Sequence, residues 1–192
     1  MRSVYFVRHS QADSSINDQR TRPLTKKGMH DRQLVTHYLK DKGIDTVYSS
    51  PYKRAIDTIS DFASANNLPI ETLEDFRGLR VDSAWIDNYR SSFEKYWFDF
   101  SYSYLDGENF SELKTRNIAL IEHIVKKNRG KNIVISTHSV SLAVIMNYYD
   151  STFCFEDFMF VVNTEPLIVK MDFNDNGCVS IEKINLLKLE KK

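Results

Sequence analysis

Short apolar runs alternate with longer amphipathic stretches along most of the chain. The runs at residues 4–7, 46–48 and 133–135 are rich in β-branched or aromatic side chains and bounded by polar ones. Such runs are typical of buried strands in a parallel sheet. After each of the first two runs, apolar residues recur at helical spacing. Thr25 is the expected N-cap of the first of these helices, and Pro51 is expected in the first turn of the second. The pattern therefore predicts alternating strands and helices.

Two later stretches depart from this alternation. Residues 166–173 and 179–187 predict two strands joined by a hairpin turn at residues 174–177. Residues 79–106 show poor periodicity, and nine of the twenty residues from Trp85 to Tyr104 are aromatic. This predicts an insertion that forms either a small core of its own or a lid over a binding crevice.

Together these elements predict an α/β fold, a three-layer α/β/α sandwich. Its central sheet is mostly parallel, with an antiparallel element at one side and the aromatic-rich insertion at about 79–106. A length of 192 residues predicts one domain spanning residues 1–192.

The charge balance narrows the kind of partner. Basic and acidic residues number 26 each, so no overall field attracts nucleic acid or anionic lipid, and an anionic ligand needs a local group of cations. No apolar run approaches the roughly 20 residues that span a bilayer, and no signal-peptide pattern is present, which predicts a cytoplasmic protein without membrane contact. Cys154 and Cys178 lack the spacing of a zinc site or a disulfide framework.

Candidate chemistry lies where the predicted strands end. Arg8 and His9 follow the first strand, Arg54 falls in the first turn of the second helix, and His138 follows a later strand. In an α/β sheet, ligands bind at the carboxyl ends of parallel strands. Paired guanidiniums and helix N-termini suit a phosphate. A neutral imidazole is a nucleophile toward phosphorus, and a second one, if protonated, stabilises the charge of the transition state.

These segments resemble the motifs of the histidine phosphatase superfamily, which contains cofactor-dependent phosphoglycerate mutase and many small phosphatases. The family's Leu-Val-Arg-His-Gly is matched by residues 6–10, its Leu-Thr-x-x-Gly by 24–28, its Ser-Ser-Pro-x-x-Arg-Ala by 49–55 and its Val-x-His-Gly by 135–139. Residues 107–112, with Arg116 after them, are similar to a Gly-Glu-Ser run that opens a helix in the mutase-like branch. The matches run in the family's order.

The resemblance implies roles for individual residues. It implies that His9 is phosphorylated during turnover, that Arg8, Arg54 and His138 form its phosphate pocket, and that no metal or other cofactor takes part. Arg22 precedes a Pro-Leu-Thr run, as in the family's shorter, phosphohistidine-acting branch, and is a candidate third cation.

The resemblance also implies a general acid within a Glu-x-x-x-Gly element between the second helix and the insertion. Residues 74–78 fit that spacing, so Glu74 is the predicted acid, with Asp75 and Asp82 as alternatives. Such an acid protonates the leaving alkoxide and then activates water as a base.

Three positions depart from the family pattern. Ser10 and Ser139 stand where the family has glycine after each histidine. Serine carries a cost if the backbone there needs a positive φ, whereas its hydroxyl can donate to phosphate, which makes Ser139 a candidate phosphate ligand. Ala12 replaces the family's Ser or Thr, as in the shorter branch, and leaves the substrate class open.

The function predicted from the sequence is metal-independent hydrolysis of a phosphomonoester, through a phosphohistidine intermediate, on a small phosphorylated metabolite. Two alternatives stay open. One is phosphate transfer of the phosphoglycerate mutase type, and the other is a catalytically weak module that only binds phosphate.

Overall fold

A computed structural model describes residues 1–81 and 89–189. The strands are β1 (Arg2–Arg8), β2 (Ile44–Ser49), β3 (Ile70–Thr72), β4 (Asn132–Thr137), β5 (Leu167–Asn174) and β6 (Gly177–Asn185). The α-helices are α1 (Lys26–Leu39), α2 (Lys53–Ala65), α3 (Tyr89–Phe98), α4 (Phe110–Lys127), α5 (Ser139–Tyr149), α6 (Phe155–Asn163) and α7 (Leu186–Leu189), and a 3₁₀ turn covers Glu74–Phe76.

The six strands form one sheet in the order β3-β2-β4-β1-β5-β6. The first four strands in that order are mutually parallel, β5 pairs antiparallel with β1, and β6 pairs antiparallel with β5. This confirms the predicted α/β fold with a mostly parallel sheet and an antiparallel element. Because β4 lies between β1 and β2, the carboxyl ends of three adjacent parallel strands meet at one place.

Each face of the sheet has its own hydrophobic core. Alternate strand residues point to opposite faces, so Val4 and Phe6 pack toward α4, α5 and α6, whereas Tyr5 and Val7 pack toward α1 and α2. These four side chains are at most 5% exposed. The helices therefore cover the sheet on both sides, as the three-layer prediction requires.

Local sequence signals explain where α1 and α4 begin. The hydroxyl of Thr25 accepts a hydrogen bond from the Gly28 amide at 3.0 Å, which caps α1 as predicted. Asn109 and Glu112 form a capping box at the start of α4. The prediction for Pro51 was wrong, because Tyr52 is the N-cap of α2 and Pro51 precedes it.

The pattern analysis missed α3 and α6, and the two helices pack together. The Phe93 and Phe158 rings lie 5.3 Å apart, and Trp97 lies 5.1 Å from Phe158. The apolar residues of both helices do follow helical spacing, but over only about three turns each. Buried aromatic side chains of the described part of the insertion join the hydrophobic core on one face of the sheet. The predictions for Trp85 and Asp82 lie outside the described residues. In residues 1–81 and 89–189, no helix is long and apolar enough to cross a membrane.

Candidate active site

Two backbone hydrogen bonds extend the sheet ladder beyond its strands. The His9 amide donates to the Thr137 carbonyl at 3.2 Å, and the Ser50 amide donates to the Ser136 carbonyl at 2.8 Å. The residues that follow β1, β4 and β2 therefore lie side by side, with His138 in the middle. Strand register brings these side chains together.

The two imidazoles face each other at this edge. The His9 and His138 ring centroids are 5.2 Å apart, with the ring planes at 65°. His9 Nδ1 lies 2.7 Å from the Ser10 carbonyl oxygen, which only accepts, so Nδ1 carries the proton and donates. Arg54 Nε donates to His9 Nε2 at 3.2 Å. The unprotonated nitrogen of His9 is thus Nε2, and it lies against a guanidinium.

Both imidazoles are held neutral. Burial, followed by the positive charges of Arg54 and Arg8, holds the pKa of His9 well below its usual value. Burial is also the main cause of the lowered pKa of His138, with contributions from Arg54 and His9. At neutral pH, His9 Nε2 therefore carries an unprotonated lone pair, which accepts the hydrogen bond from Arg54 Nε.

The guanidinium of Arg54 is fixed by the loop after β1. Its two terminal nitrogens donate to the backbone carbonyl of Gln19 at 2.7 Å and to the Gln19 side-chain oxygen at 3.1 Å. The Thr58 hydroxyl donates to the Arg54 carbonyl and accepts from the Ser10 amide at 2.9 Å. Sequence reasoning missed Gln19, because a contact made largely by a backbone carbonyl leaves no signature in residue types.

His138 is enclosed on several sides. Its Nε2 lies 2.8 Å from the Ser50 hydroxyl, and the Tyr52 ring packs edge-on at 5.0 Å. A Cβ at Gly78 would lie 3.2 Å from His138 Cγ, so the absence of a side chain there lets the backbone approach the ring closely. His138 Nδ1 is buried without a hydrogen-bond partner among the described residues. That nitrogen is available to a ligand once the ring is protonated.

The positive charge of Arg8 acts on both histidines, whereas its N–H groups donate to residues at the C-terminal end of α6. Its Nη1 donates to the Val161 and Thr164 carbonyls, both at 2.6 Å, and Nη2 donates to the Glu165 carboxylate at 3.0 Å. These contacts fasten the C-terminal end of α6. The charge of Arg8 still lowers the pKa of both imidazoles, which places Arg8 in the electrostatic environment of the pocket.

The remaining predicted cation and hydroxyl lie at the edge of the pocket. Arg22 Nε donates to the Ile16 carbonyl at 2.7 Å, and its charge makes a small contribution to the lowered pKa of His9. Ser139 is the first residue of α5, where helix amides face the pocket end of β4. Ser10 and Ser139 are not among the described non-glycine residues with positive φ, so neither serine strains the backbone.

The predicted acid, Glu74, is exposed on a short turn. Glu74 opens the 3₁₀ turn, its side chain is 53% exposed, and it accepts a hydrogen bond from Arg20 Nη2 at 2.6 Å. The Leu73 amide donates to the Ser49 carbonyl at 2.9 Å, which ties this segment to the end of β2. Asp75 is exposed on the same turn.

Glu108 and Arg116 form an ion pair that contacts residues 75–80, which together with Glu74 make up the acid segment. Glu108 is 3% exposed and accepts from Arg116 Nε at 2.6 Å and Nη2 at 2.8 Å. Burial works to raise the pKa of Glu108, but the hydrogen bonds and charge of Arg116 outweigh it, and the pKa is lowered. Glu108 therefore stays ionised. In the described part of the chain, no group of three or more His, Cys, Asp or Glu side chains is placed to hold a metal ion.

Comparison with known sequences identifies the class of protein. The profile of the histidine phosphatase superfamily (branch 1) matches residues 4–182, and the chain belongs to that family. The chain is 25% identical over 130 residues to phosphoserine phosphatase 1 of Hydrogenobacter thermophilus, covering 62% of this chain and 60% of that protein. It is 30% identical over 159 residues to the metal-independent phosphoserine phosphatase of Arabidopsis thaliana, covering 74% of this chain and 66% of that protein.

Among solved structures, a mutant phosphoserine phosphatase from Entamoeba histolytica, in complex with phosphoserine, superposes with a TM-score of 0.74 at 17% identity. The match covers 94% of this chain and 96% of that one. A likeness at this level of identity shows the fold. The chain spans 60% and 66% of the lengths of the two curated relatives it matches.

Proposed function

We propose that this protein is a metal-independent phosphomonoester hydrolase that works through a phosphohistidine at His9. One observation carries the proposal: the unprotonated Nε2 of His9 lies 3.2 Å from Arg54 Nε, with the His138 ring at a centroid distance of 5.2 Å. A neutral nucleophile flanked by a fixed cation and a second imidazole is the arrangement that phosphoryl transfer needs. Membership of the family supports this assignment.

In the first step, His9 Nε2 attacks the phosphorus of the ester. The nitrogen–phosphorus bond forms as the bond from phosphorus to the leaving oxygen breaks. Arg54 donates to the equatorial oxygens, where negative charge is spread in the transition state. The dianionic substrate raises the pKa of His138, so this ring becomes protonated and donates from the nitrogen that lacks a partner in the described residues.

Glu74 handles the protons at the leaving oxygen. Its protonated carboxyl gives a proton to the departing alkoxide, and the alcohol leaves. The resulting carboxylate then takes a proton from water as the water oxygen attacks the phosphohistidine. The nitrogen–phosphorus bond breaks, inorganic phosphate is released, and neutral His9 is restored. His138 takes its proton from solvent when the substrate binds and returns it when phosphate leaves, so the cycle balances without a metal ion.

The substrate class is a small phosphorylated metabolite. The balanced charge of the chain supplies no basic field for a nucleic acid. Phosphoserine is the first compound to test, because both curated relatives are named as phosphoserine phosphatases. A single-domain organisation and a cytoplasmic location stay predictions from the sequence.

The test measures release of inorganic phosphate from p-nitrophenyl phosphate and from phosphoserine, with a chelator present throughout. His9→Ala should lose at least about 10³-fold in kcat on both substrates. His123→Ala removes an exposed histidine on α4 and should retain wild-type activity. Incubation with labelled substrate should leave a phosphate on His9 that is labile to acid and stable to alkali.

Three results would contradict the proposal. One is a wild-type protein that releases no phosphate across a panel of phosphoesters. Another is a His9→Ala variant that keeps its activity. The third is transfer of phosphate within a phosphoglycerate in preference to its hydrolysis, which would assign the mutase reaction instead.

A further inference from the structure

The side chain of Arg116 holds the backbone of the acid segment. Its Nη1 donates to the carbonyls of Asp75 and, at 3.1 Å, of Arg77, and its Nη2 donates to the Gly78 carbonyl at 3.2 Å. The same guanidinium pairs with both carboxylate oxygens of Glu108. One residue of α4 thus binds three carbonyls within the four residues that follow Glu74.

Glu108 fixes the other end of the same segment. Its carboxylate accepts from the Arg80 amide at 3.2 Å and from Arg77 Nη2 at 3.3 Å. The Glu108 amide in turn donates to the Arg80 carbonyl at 2.7 Å. Residues 75–80 are therefore fastened to the N-terminal end of α4 through Arg116 and Glu108 together.

His138 contacts this segment through Gly78 but has other supports, whereas Glu74 lies within the segment itself. His138 is set by the β4 ladder, by Ser50 and by the edge-on ring of Tyr52. Glu74 lies in a segment with one 3₁₀ turn, and its carboxylate has an exposed ion pair with Arg20. Exposed ion pairs position a side chain weakly.

Building on the proposed function, we propose that Arg116 and Glu108 form a positioning pair that holds Glu74 within reach of the leaving oxygen. The pair does not touch the substrate. An Arg suits this role because its planar fork offers five donors, here divided between one carboxylate and three carbonyls, whereas Lys offers a single ammonium. Glu108 compensates the charge that this nearly buried guanidinium carries.

The prediction separates substrates by leaving group. p-Nitrophenolate leaves without a proton, whereas the serine alkoxide of phosphoserine needs one from the acid. Arg116→Lys should lower the rate at which phosphoserine phosphorylates His9, measured in a single turnover, by about 10²-fold and change the rate with p-nitrophenyl phosphate by less than about threefold. Glu108→Gln should act in the same direction. Arg129→Lys, at an exposed site beyond α4, is the matched control and should leave both values unchanged.

A double-variant cycle distinguishes positioning from general damage. In a Glu74→Gln background, Arg116→Lys should cause no further loss with phosphoserine, because the acid that it positions is already gone. Equal losses on both substrates, or a full additional loss in that background, would overturn the positioning role. Failure of the wild-type protein to hydrolyse p-nitrophenyl phosphate would instead remove the proposed function.

Thermal unfolding of each variant shows whether the chain still folds. Should Arg116→Lys fail to fold, the same cycle with Glu108→Gln decides the question, since that variant keeps the shape of the side chain while it removes the charge and one acceptor oxygen.

Discussion

The two halves of the candidate site are built in different ways. His138 is 5% exposed, and its position follows from strand register, which also places His9 beside it. Glu74 has a 53% exposed side chain on a short turn, and its position depends on side chains from α4. The proposed nucleophile, His9, thus depends on the sheet, and the proposed acid, Glu74, depends on contacts that are distant in sequence. Substitutions near the histidines should therefore slow phosphorylation of His9 by every substrate, whereas substitutions near Glu74 should slow it only for esters with poor leaving groups.

The largest effect in this comparison is expected for Arg54→Ala. Its guanidinium is the cation in direct contact with His9 Nε2, and removing a fixed donor of this kind costs roughly 10²- to 10³-fold in catalysis. The loss should be equal for p-nitrophenyl phosphate and phosphoserine, measured as kcat/KM. Lys53→Ala removes the neighbouring cation, which is exposed and paired with Asp57, and should have little effect. A loss restricted to phosphoserine would contradict the assignment of Arg54 to the phosphate.

The next largest effect is expected for Glu74→Gln. This variant should reduce the rate at which phosphoserine phosphorylates His9 by about 10²-fold, and the rate with p-nitrophenyl phosphate much less, because only the serine alkoxide needs a proton to leave. Glu71→Gln, at an exposed position of β3, is the control. Should Asp75→Asn cause the larger and more selective loss, Asp75 is the acid and the assignment of Glu74 fails.

The histidine half of the site should also make stability depend on pH. The unfolded chain takes up protons on these histidines near pH 6.5, whereas burial keeps the folded imidazoles neutral to well below that value. Because the unfolded state then binds more protons, the free energy of unfolding should fall as the pH drops below about 6.5.

Urea unfolding at several pH values between 7 and 5 measures this dependence. His138→Gln should flatten it by up to about 1.4 kcal/mol per pH unit, the limit for one proton. His37→Gln, at an exposed position of α1, should leave the slope unchanged. An identical slope in wild type and His138→Gln would show that this ring is protonated in the folded protein.

The difference between the histidines, which are set by the sheet, and Glu74, which lies on a short turn, explains what the sequence predicts well. His9, His138 and Arg54 each follow a short apolar run or open the helix after it, and strand ends of this kind converge in a parallel sheet. The contacts of the Arg8 guanidinium could not be predicted from sequence, because two of them are made to backbone carbonyls at the end of α6. Gln19 and the carbonyls bound by Arg116 were equally invisible, since backbone oxygens are the same at every position.

The smallest effect is expected for Arg20→Ala, which removes the exposed ion partner of Glu74. Both groups are well hydrated, and such pairs contribute little to position or stability, so kcat for phosphoserine should change by no more than about threefold. The difference from wild type should vanish at about 1 M salt, where charges this exposed are screened. Glu182→Ala, an exposed charge on β6, is a suitable control. A loss as large as that of Glu74→Gln would mean that the loop after β1, and not α4, holds Glu74. The position of Glu74 would then depend on an exposed ion pair rather than on the contacts of Arg116 and Glu108.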